Sequence, residues 1–175
     1  MGAEFGIIGV NKIELGNCGT NGLMGTTLTE ITDIVTDSVN LVFDEPGKTD
    51  LTVENLVTPW ASIPDPLRAK RIEFSSRNVD PAMLVKAFNG TTVNSTRWEE
   101  STVATIIEQS VKITSSTIAG YKRIIYIPKS VIRASFDGKL QSKDSSAIKF
   151  VCDINAPVNS GGTVLPGIYI DKVAG

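Results

Sequence analysis

Apolar and polar residues alternate along much of the chain with the two-residue period of a half-buried β-strand. The alternation is clearest at Val35, Val39, Leu41 and Phe43, where most of the intervening residues are polar. A turn-forming sequence, Asp-Glu-Pro-Gly-Lys, follows at 44–48, and Val53 belongs to the apolar pattern beyond it. The pattern therefore predicts a β-hairpin over residues 34–57.

Further strand patterns follow in the rest of the chain. One face of the segment 102–115 carries Val103, Ile107, Val111 and Ile113. Strands are also predicted over 71–75, 121–127, with Pro128 ending that strand, 130–136, 140–152 and 164–173. Ile148, Phe150 and Cys152 share one face of the segment 140–152. The prolines at 59, 64 and 66 predict a crossing loop before residue 71.

The helical period is clear in a single short segment, residues 80–88. Asp80 can cap the helix and Pro81 suits its first turn, while Asn89 and Gly90 end it. About nine residues are too few for a stable isolated helix, so its apolar stripe must dock on a sheet. That stripe consists of Met83, Leu84, Ala87 and Phe88.

The first 27 residues combine an apolar strand pattern with a glycine-rich segment. Glycines recur at positions 16, 19, 22 and 25, without the spacing of a phosphate-binding loop, and indicate a flexible loop. An apolar strand attached to such a loop suits β-augmentation of a neighbouring subunit. We therefore predict that residues 1–27 form an N-terminal arm and loop that order on assembly. The candidate contacts of this arm are Ile7, Ile8, Val10, Ile13 and Leu15.

Composition supports a β fold. The chain of 175 residues has 19 Ile, 16 Val and 17 Thr but only 10 Leu, and β-branched residues favour strands over helices. No linker or tandem repeat divides it. The prediction is a single domain over residues 1–175, mainly β, with a β-sandwich or β-barrel core and one short flanking α-helix.

The composition also argues against catalysis. The chain has no histidine, which excludes Ser-His-Asp and Cys-His catalysis and His-ligated metals. Glu99 and Glu100 are adjacent, so on a strand their carboxylates face opposite ways. The acidic residues between 33 and 50 miss the spacing of a calcium loop. We expect no enzyme activity, no catalytic residue, no metal and no cofactor; whether Cys18 and Cys152 pair stays open.

The charge is unevenly divided along the chain. Residues 1–54 carry nine acidic and two basic side chains, net −7, and residues 55–175 carry ten and fifteen, net +5. Either these charges mix on one folded surface, or an acidic surface of one copy meets a basic surface of the next. Residues 1–6 lack the features of an export signal and no segment is apolar enough to span a bilayer, so we expect no membrane association.

The order of these features resembles the tail tube (major tail) proteins of tailed bacteriophages. The closest likeness is the strand Arg71-Ile72-Glu73-Phe74-Ser75 leading into Asp80-Pro81-Ala82-Met83-Leu84 and on to Gly90-Thr91, which is similar to that family's strand, D-P-x-x-L helix and G-T unit. A later strand that ends in proline, residues 121–128, is followed by a further strand, turn and strand, also as in that family. The likeness covers most of the chain as a pattern.

The resemblance implies a β-sandwich or barrel that assembles into homohexameric rings, and rings that stack into a tube through which DNA passes during ejection. The partners implied are further copies of the chain, other tail or neck proteins, and DNA without sequence-specific binding. The place implied is the virion tail, assembled in the host cytoplasm. The hairpin over 34–57 would line the lumen or lie in a subunit joint, with Glu30, Asp33 and Asp37 as lumen-facing candidates whose charge repels phosphate.

Two alternatives stay open at this point. The chain could form another ring of the neck or tail, such as a terminator, collar or hub. It could also be a head-decoration or fibre-type β-sandwich that acts as a binding module. A tube subunit should be a hexamer or a polymer in solution, whereas a decoration module should be a monomer or a trimer.

Overall fold

A computed structural model describes residues 9–44, 47–52, 58, 61–64, 70–137 and 146–175 of the chain. These ranges are mainly β, as the sequence predicted, with one α-helix and one short 3-10 turn at residues 20–22. The elements are β1 (Val10–Asn17), β2 (Leu28–Ile31), β3 (Asn40–Phe43), β4 (Lys48–Leu51), β5 (Ala61–Pro64), β6 (Lys70–Ser76), α1 (Pro81–Phe88), β7 (Thr91–Val93), β8 (Arg97–Glu99), β9 (Ile107–Ser115), β10 (Tyr121–Asp137), β11 (Ala147–Ile154) and β12 (Tyr169–Ala174).

The main sheet is antiparallel and curls round on itself. Its strands follow the order β2-β1-β9-β10-β11-β6-β3, and β12 pairs separately with β10. The chain between β2 and β3 joins the two ends of this order, because Ile34 forms a bridge with Ser76 of β6. The Val35 amide donates to the Ser75 carbonyl at 2.8 Å, next to that bridge. The core is therefore barrel-like, and the predicted fold class is confirmed.

A bend separates β2 from β3 and interrupts the alternation that the sequence shows between Val35 and Phe43. Asp33 and Asp37 adopt left-handed backbone angles, with φ of 54° and 58°. Aspartate tolerates this conformation better than most residues because its short polar side chain can bond locally. The two residues turn the chain from its pairing with β1 to its pairing with β6.

The barrel interior is filled by the strand faces that the alternation identified. Ile31, Ile13, Ile113 and Ile125 lie opposite one another in a row across β2, β1, β9 and β10. Phe74 and Phe150 stack beside them, with ring centroids 4.9 Å apart. Aromatic and β-branched cross-strand neighbours of this kind stabilise a sheet. Ile148, Phe150 and Cys152 all belong to this core, and so do Val111 and Ile113.

The long strand β10 passes through Pro128, where the sequence predicted a stop. Proline has no N–H to donate, and the pairing with β9 shifts register between Ile127 and Ser130. Two hydroxyls stabilise this irregularity: Ser110 donates to the Pro128 carbonyl at 2.6 Å, and Ser130 donates to the Gln109 carbonyl at 2.8 Å. The bulge lets one strand of 17 residues pair with β12 along its first half and with β11 along its second.

Helix α1 docks on the barrel through its apolar stripe. Met83 and Ala87 are buried in the core, and Leu84 and Phe88 pack against it. Phe88 stacks on Phe136 of β10 with centroids 5.1 Å apart and also contacts Trp98 of β8. Asp80 occupies the capping position, but its side chain makes no capping hydrogen bond.

The predicted hairpin over residues 34–57 is corrected. β3 pairs with β6, and β4 pairs with β5, so residues 35–43 have no partner in 48–52. Val39 and Leu41 pack against the core, Val35 is half-buried and Phe43 is exposed. Val53 lies outside the described residues. An antiparallel pair does form, but it consists of β4 and β5, which lie between β3 and β6 in the sequence.

The predicted N-terminal arm is corrected for the part of it that the structure describes. Ile13 and Leu15 are fully buried in their own barrel, where β1 lies between β2 and β9, and Val10 packs against the same core. A strand in the middle of a sheet cannot also serve as an arm for a neighbour. Ile7 and Ile8 lie outside the described residues.

Two smaller boundaries also differ from the sequence pattern. Val103 precedes β9 and is exposed, so it does not share the buried face of Val111. The last strand begins at Tyr169, because Val164 instead forms an isolated bridge with Val158.

Candidate functional site: the open end of the barrel

A cavity of about 900 Å³ lies at one open end of the barrel. Its floor is formed by core side chains, and its sides by the start of β1 and by the bend between β2 and β3. The floor residues are Ile31, Ile34, Val39, Leu41, Ile72, Ile113 and Ile125. An apolar floor open to solvent is a common feature of a binding surface.

The rim of this cavity is acidic. Glu30, Asp33 and Asp37 all line it, and Asp33 and Asp37 form no ion pair among the described residues. Glu30 contacts Lys12 at 3.3 Å, but that ammonium lies closer to Glu14, at 3.0 Å. The three lumen-facing candidates are therefore brought together, at the mouth of the barrel.

Glu14 is the most enclosed carboxylate beside this rim. Burial raises its pKa, but hydrogen bonds and attraction from Lys12 and Lys112 outweigh burial, so the pKa lies below its ordinary value. The Lys112 contact is 3.3 Å long and joins the acidic first third of the chain to the basic remainder. Lys12 therefore interacts mainly with Glu14. The rim keeps a net negative charge as a result.

Strand β12 pairs with β10 beside a floor residue of the cavity and carries one acidic and one basic side chain, Asp171 and Lys172. Its Ile170 pairs with the floor residue Ile125 but is 47% exposed. Lys172 lies over the Tyr121 ring at 4.4 Å, and Lys122 and Arg123 are on the adjoining part of β10. All six residues of β12 are exposed, and the strand pairs with β10 alone among the described strands. β12 is therefore an edge strand with both apolar and basic side chains.

The ribbon, defined here as β4 and β5, is a second surface without support from the barrel. Its strands pair only with each other among the described strands, in the register Lys48–Pro64 to Leu51–Ala61. Thr49, Asp50, Ser62 and Ile63 are exposed. A two-stranded hairpin on its own is at best marginally stable in water.

Sequence reasoning identified the acidic rim and the helix stripe but missed the basic edge. The segment containing β12 has an alternating pattern that includes Lys172. Its pairing with residues 121–126 joins positions some fifty residues apart, so the local pattern does not indicate it. That pairing places Lys172 opposite Arg123 on one face of the sheet, with Lys122 opposite Val173 on the other face. The one sequence feature related to this basic edge is the uneven distribution of charge along the chain.

Metal-binding groups and the two cysteines were the remaining candidates for chemistry at a site. They contain no group of three or more Cys, Asp and Glu side chains that could hold a metal ion. Cys18 and Cys152 are free thiols, which answers the question that the sequence left open. Burial raises the pKa of both thiols, and Cys152 packs in the core as the strand pattern indicated.

These features define a class: a small antiparallel β-barrel with one docked helix, an apolar mouth with an acidic rim, an exposed edge strand and a separate two-stranded ribbon. Comparison with known protein families and with curated protein sequences finds no match. Within the described ranges, no helix is both long and apolar enough to cross a membrane.

Proposed function

We propose that the protein is a structural subunit of a tailed bacteriophage, which forms homohexameric rings that stack into the tail tube. In this role it has no enzymatic activity and no cofactor. It works as a conduit wall in the virion tail, assembles in the host cytoplasm, and contacts other tail or neck proteins and, transiently, DNA.

The observation that carries the proposal is the ribbon. A pair of short, exposed strands that nothing else in the described chain supports is not expected in a protein that acts as a monomer. Docking on a neighbouring copy would supply the missing apolar contacts, for example at Ile63, which is exposed in the single chain. The free edge of β12 supports assembly in the same way, because unpaired strand edges are binding templates.

The specific assignment to a tail tube comes from the family resemblance. β6 is followed directly by α1 and then by β7, which agrees with the strand, helix and G-T order from which the resemblance was drawn. In that family a protruding hairpin bridges subunits and rings. Here the corresponding segment is the ribbon at 48–64, in place of residues 34–57.

The test is the size and shape of the purified full-length chain. Light scattering should give a hexamer or a larger polymer, and electron micrographs should show rings or tubes with an open centre. Rings of uniform size that never stack would favour the alternative of a terminator, collar or hub. A chain that stays monomeric or trimeric up to millimolar concentration would contradict the proposal and favour a decoration or fibre-type module.

A further inference from the structure

We propose that the edge strand β12 of one copy, together with the basic side chains of the adjoining part of β10, docks in the acidic mouth of the next copy. The mouth means the rim residues Glu30, Asp33 and Asp37 with the apolar floor beneath them. This inference rests on the proposed function, since it names the surfaces through which the subunits of an assembly meet.

Charge complementarity is the first argument. The mouth presents three carboxylates and shares a single lysine, Lys12, with Glu14. The β12 edge presents Arg123 and Lys172 on one face and Lys122 with Asp171 on the other, and none of these four is ion-paired among the described residues. Opposite potentials of this kind select partner and orientation at an interface.

Apolar fit is the second argument. The floor of the mouth is made of isoleucine, leucine and valine side chains, and β12 exposes Ile170, Tyr169 and Val173. The free backbone edge of β12 offers unpaired N–H and C=O groups, and β3, beside the mouth, pairs only with β6 among the described strands. An extended segment is therefore a suitable occupant, because edges take up strands while pockets take up alternate side chains.

The charges also identify which part of the chain fits. The segment before residue 9 is apolar, but its one charged side chain is Glu4, which the acidic rim would repel. The β12 edge is both apolar and basic. Because mouth and edge are different surfaces of one chain, the contact is head-to-tail, the kind that closes into rings or extends into filaments.

The experiment uses paired charge reversals in the full-length chain. The edge variant is K122E/K172E, and the mouth variant is E30K/T36K, whose positions line or adjoin the rim without left-handed backbone. Each variant should raise the protein concentration needed for assembly by about tenfold or more. The variant that combines all four substitutions should assemble better than either of the two. Circular dichroism checks that each variant is folded.

A matched control separates this contact from a general effect of net charge. R133E/K149E makes the same change in charge on β10 and β11, away from β12 and the mouth, and should assemble like the wild type. Carbodiimide cross-linking of mixed ¹⁴N and ¹⁵N copies should join Lys122 or Lys172 of one copy to Glu30, Asp33 or Asp37 of another.

The outcomes separate this inference from the function it rests on. Rings that form normally from K122E/K172E, or assembled particles without these cross-links, overturn the proposed joint and leave the tube proposal standing. Equal loss of assembly in R133E/K149E also overturns it. A wild-type chain that never assembles contradicts the proposed function, and this inference with it.

Discussion

Glycine allows β1 and the loop after it to approach more closely than any side chain permits. A Cβ added to Gly16, Gly19 or Gly25 would lie 2.2, 2.5 or 2.1 Å from a backbone oxygen. The sequence predicted a flexible loop from the three-residue spacing of these glycines. Their spacing instead reflects close packing, which composition alone cannot reveal because the neighbouring oxygens come from the folded chain.

The first prediction concerns Gly25. Gly25→Ala should destabilise the protein by about 2 kcal/mol or more, because the new methyl group meets the Asn17 carbonyl and disturbs the hydrogen bond from the Gly25 amide to Ser110. Urea unfolding of the monomer measures the change. Gly161→Ala is the control and should cost much less, since a Cβ there would lie 3.3 Å from a side-chain oxygen of Asn159, which has to move only slightly, and its φ is not in the left-handed region. Equal stability of the two variants would contradict close packing.

The second prediction concerns Glu14 and pH. Its folded-state pKa lies below the ordinary value of 4.5, so the ion pairs stabilise the fold above that pH and are lost as the pH falls through the folded pKa. Glu14→Gln should therefore cost about 1 kcal/mol in unfolding free energy at neutral pH, and this difference should vanish in strongly acidic solution. Glu108→Gln, whose carboxylate is 45% exposed, is the control and should show a smaller difference. If the difference in unfolding free energy between the wild type and Glu14→Gln stays constant with pH, the ion pairs of Glu14 do not stabilise the fold.

At the scale of elements, local patterns predicted strands well and pairings poorly. The alternation at Val39 and Leu41 correctly indicated a half-buried strand. The turn sequence at 44–48 then suggested pairing with the next strand, whereas β3 pairs with β6 across some thirty residues. Register between distant strands depends on how the barrel closes, and no local pattern contains that information. The same limit explains why β1 was placed in an arm instead of the core.

The third prediction tests the position of β1. Deleting residues 1–16 should abolish cooperative folding, because it removes Ile13 and Leu15 and leaves β2 and β9 without the strand between them. Deleting residues 1–8 should leave the thermal unfolding of the monomer cooperative. Circular dichroism during heating distinguishes the two. A folded core without residues 1–16 would restore the arm interpretation.

The fourth prediction concerns the ribbon. Phe43 and Lys70 are directly opposite each other, so residues 45–68 can be replaced by Asn-Gly, a two-residue turn that suits a hairpin. The shortened chain should stay folded, with a melting temperature close to that of the wild-type monomer, but should no longer form stacked rings or tubes. Light scattering and electron micrographs provide the measurement. Tubes of normal length from the shortened chain would mean that the ribbon has no part in assembly.

At the scale of the whole molecule, the uneven charge along the chain becomes partly mixed on folding. β1 and β2 lie beside β9, so Glu14 pairs with Lys112, and Asp44 pairs with Arg71 at 3.6 Å. Acidic side chains without an ion pair among the described residues remain at the mouth, at Asp33 and Asp37, and basic ones remain beside β12, at Lys122, Arg123 and Lys172. The sequence could predict the imbalance but not its location, because location depends on long-range pairing.

The last prediction follows from this distribution of charge. Salt shortens the range of electrostatic attraction from about 10 Å at 0.1 M to about 3 Å at 1 M, so raising sodium chloride over that range should weaken assembly of the full-length chain by about tenfold or more. The apolar contacts at Ile170 and the mouth floor should keep some assembly at high salt. Sedimentation or light scattering at fixed protein concentration measures the shift, and the thermal unfolding of the residues 45–68 replacement serves as a control for stability. Assembly that strengthens steadily with salt would mean that apolar burial dominates the joint, and that the acidic mouth and basic edge do not attract each other in the assembled particle.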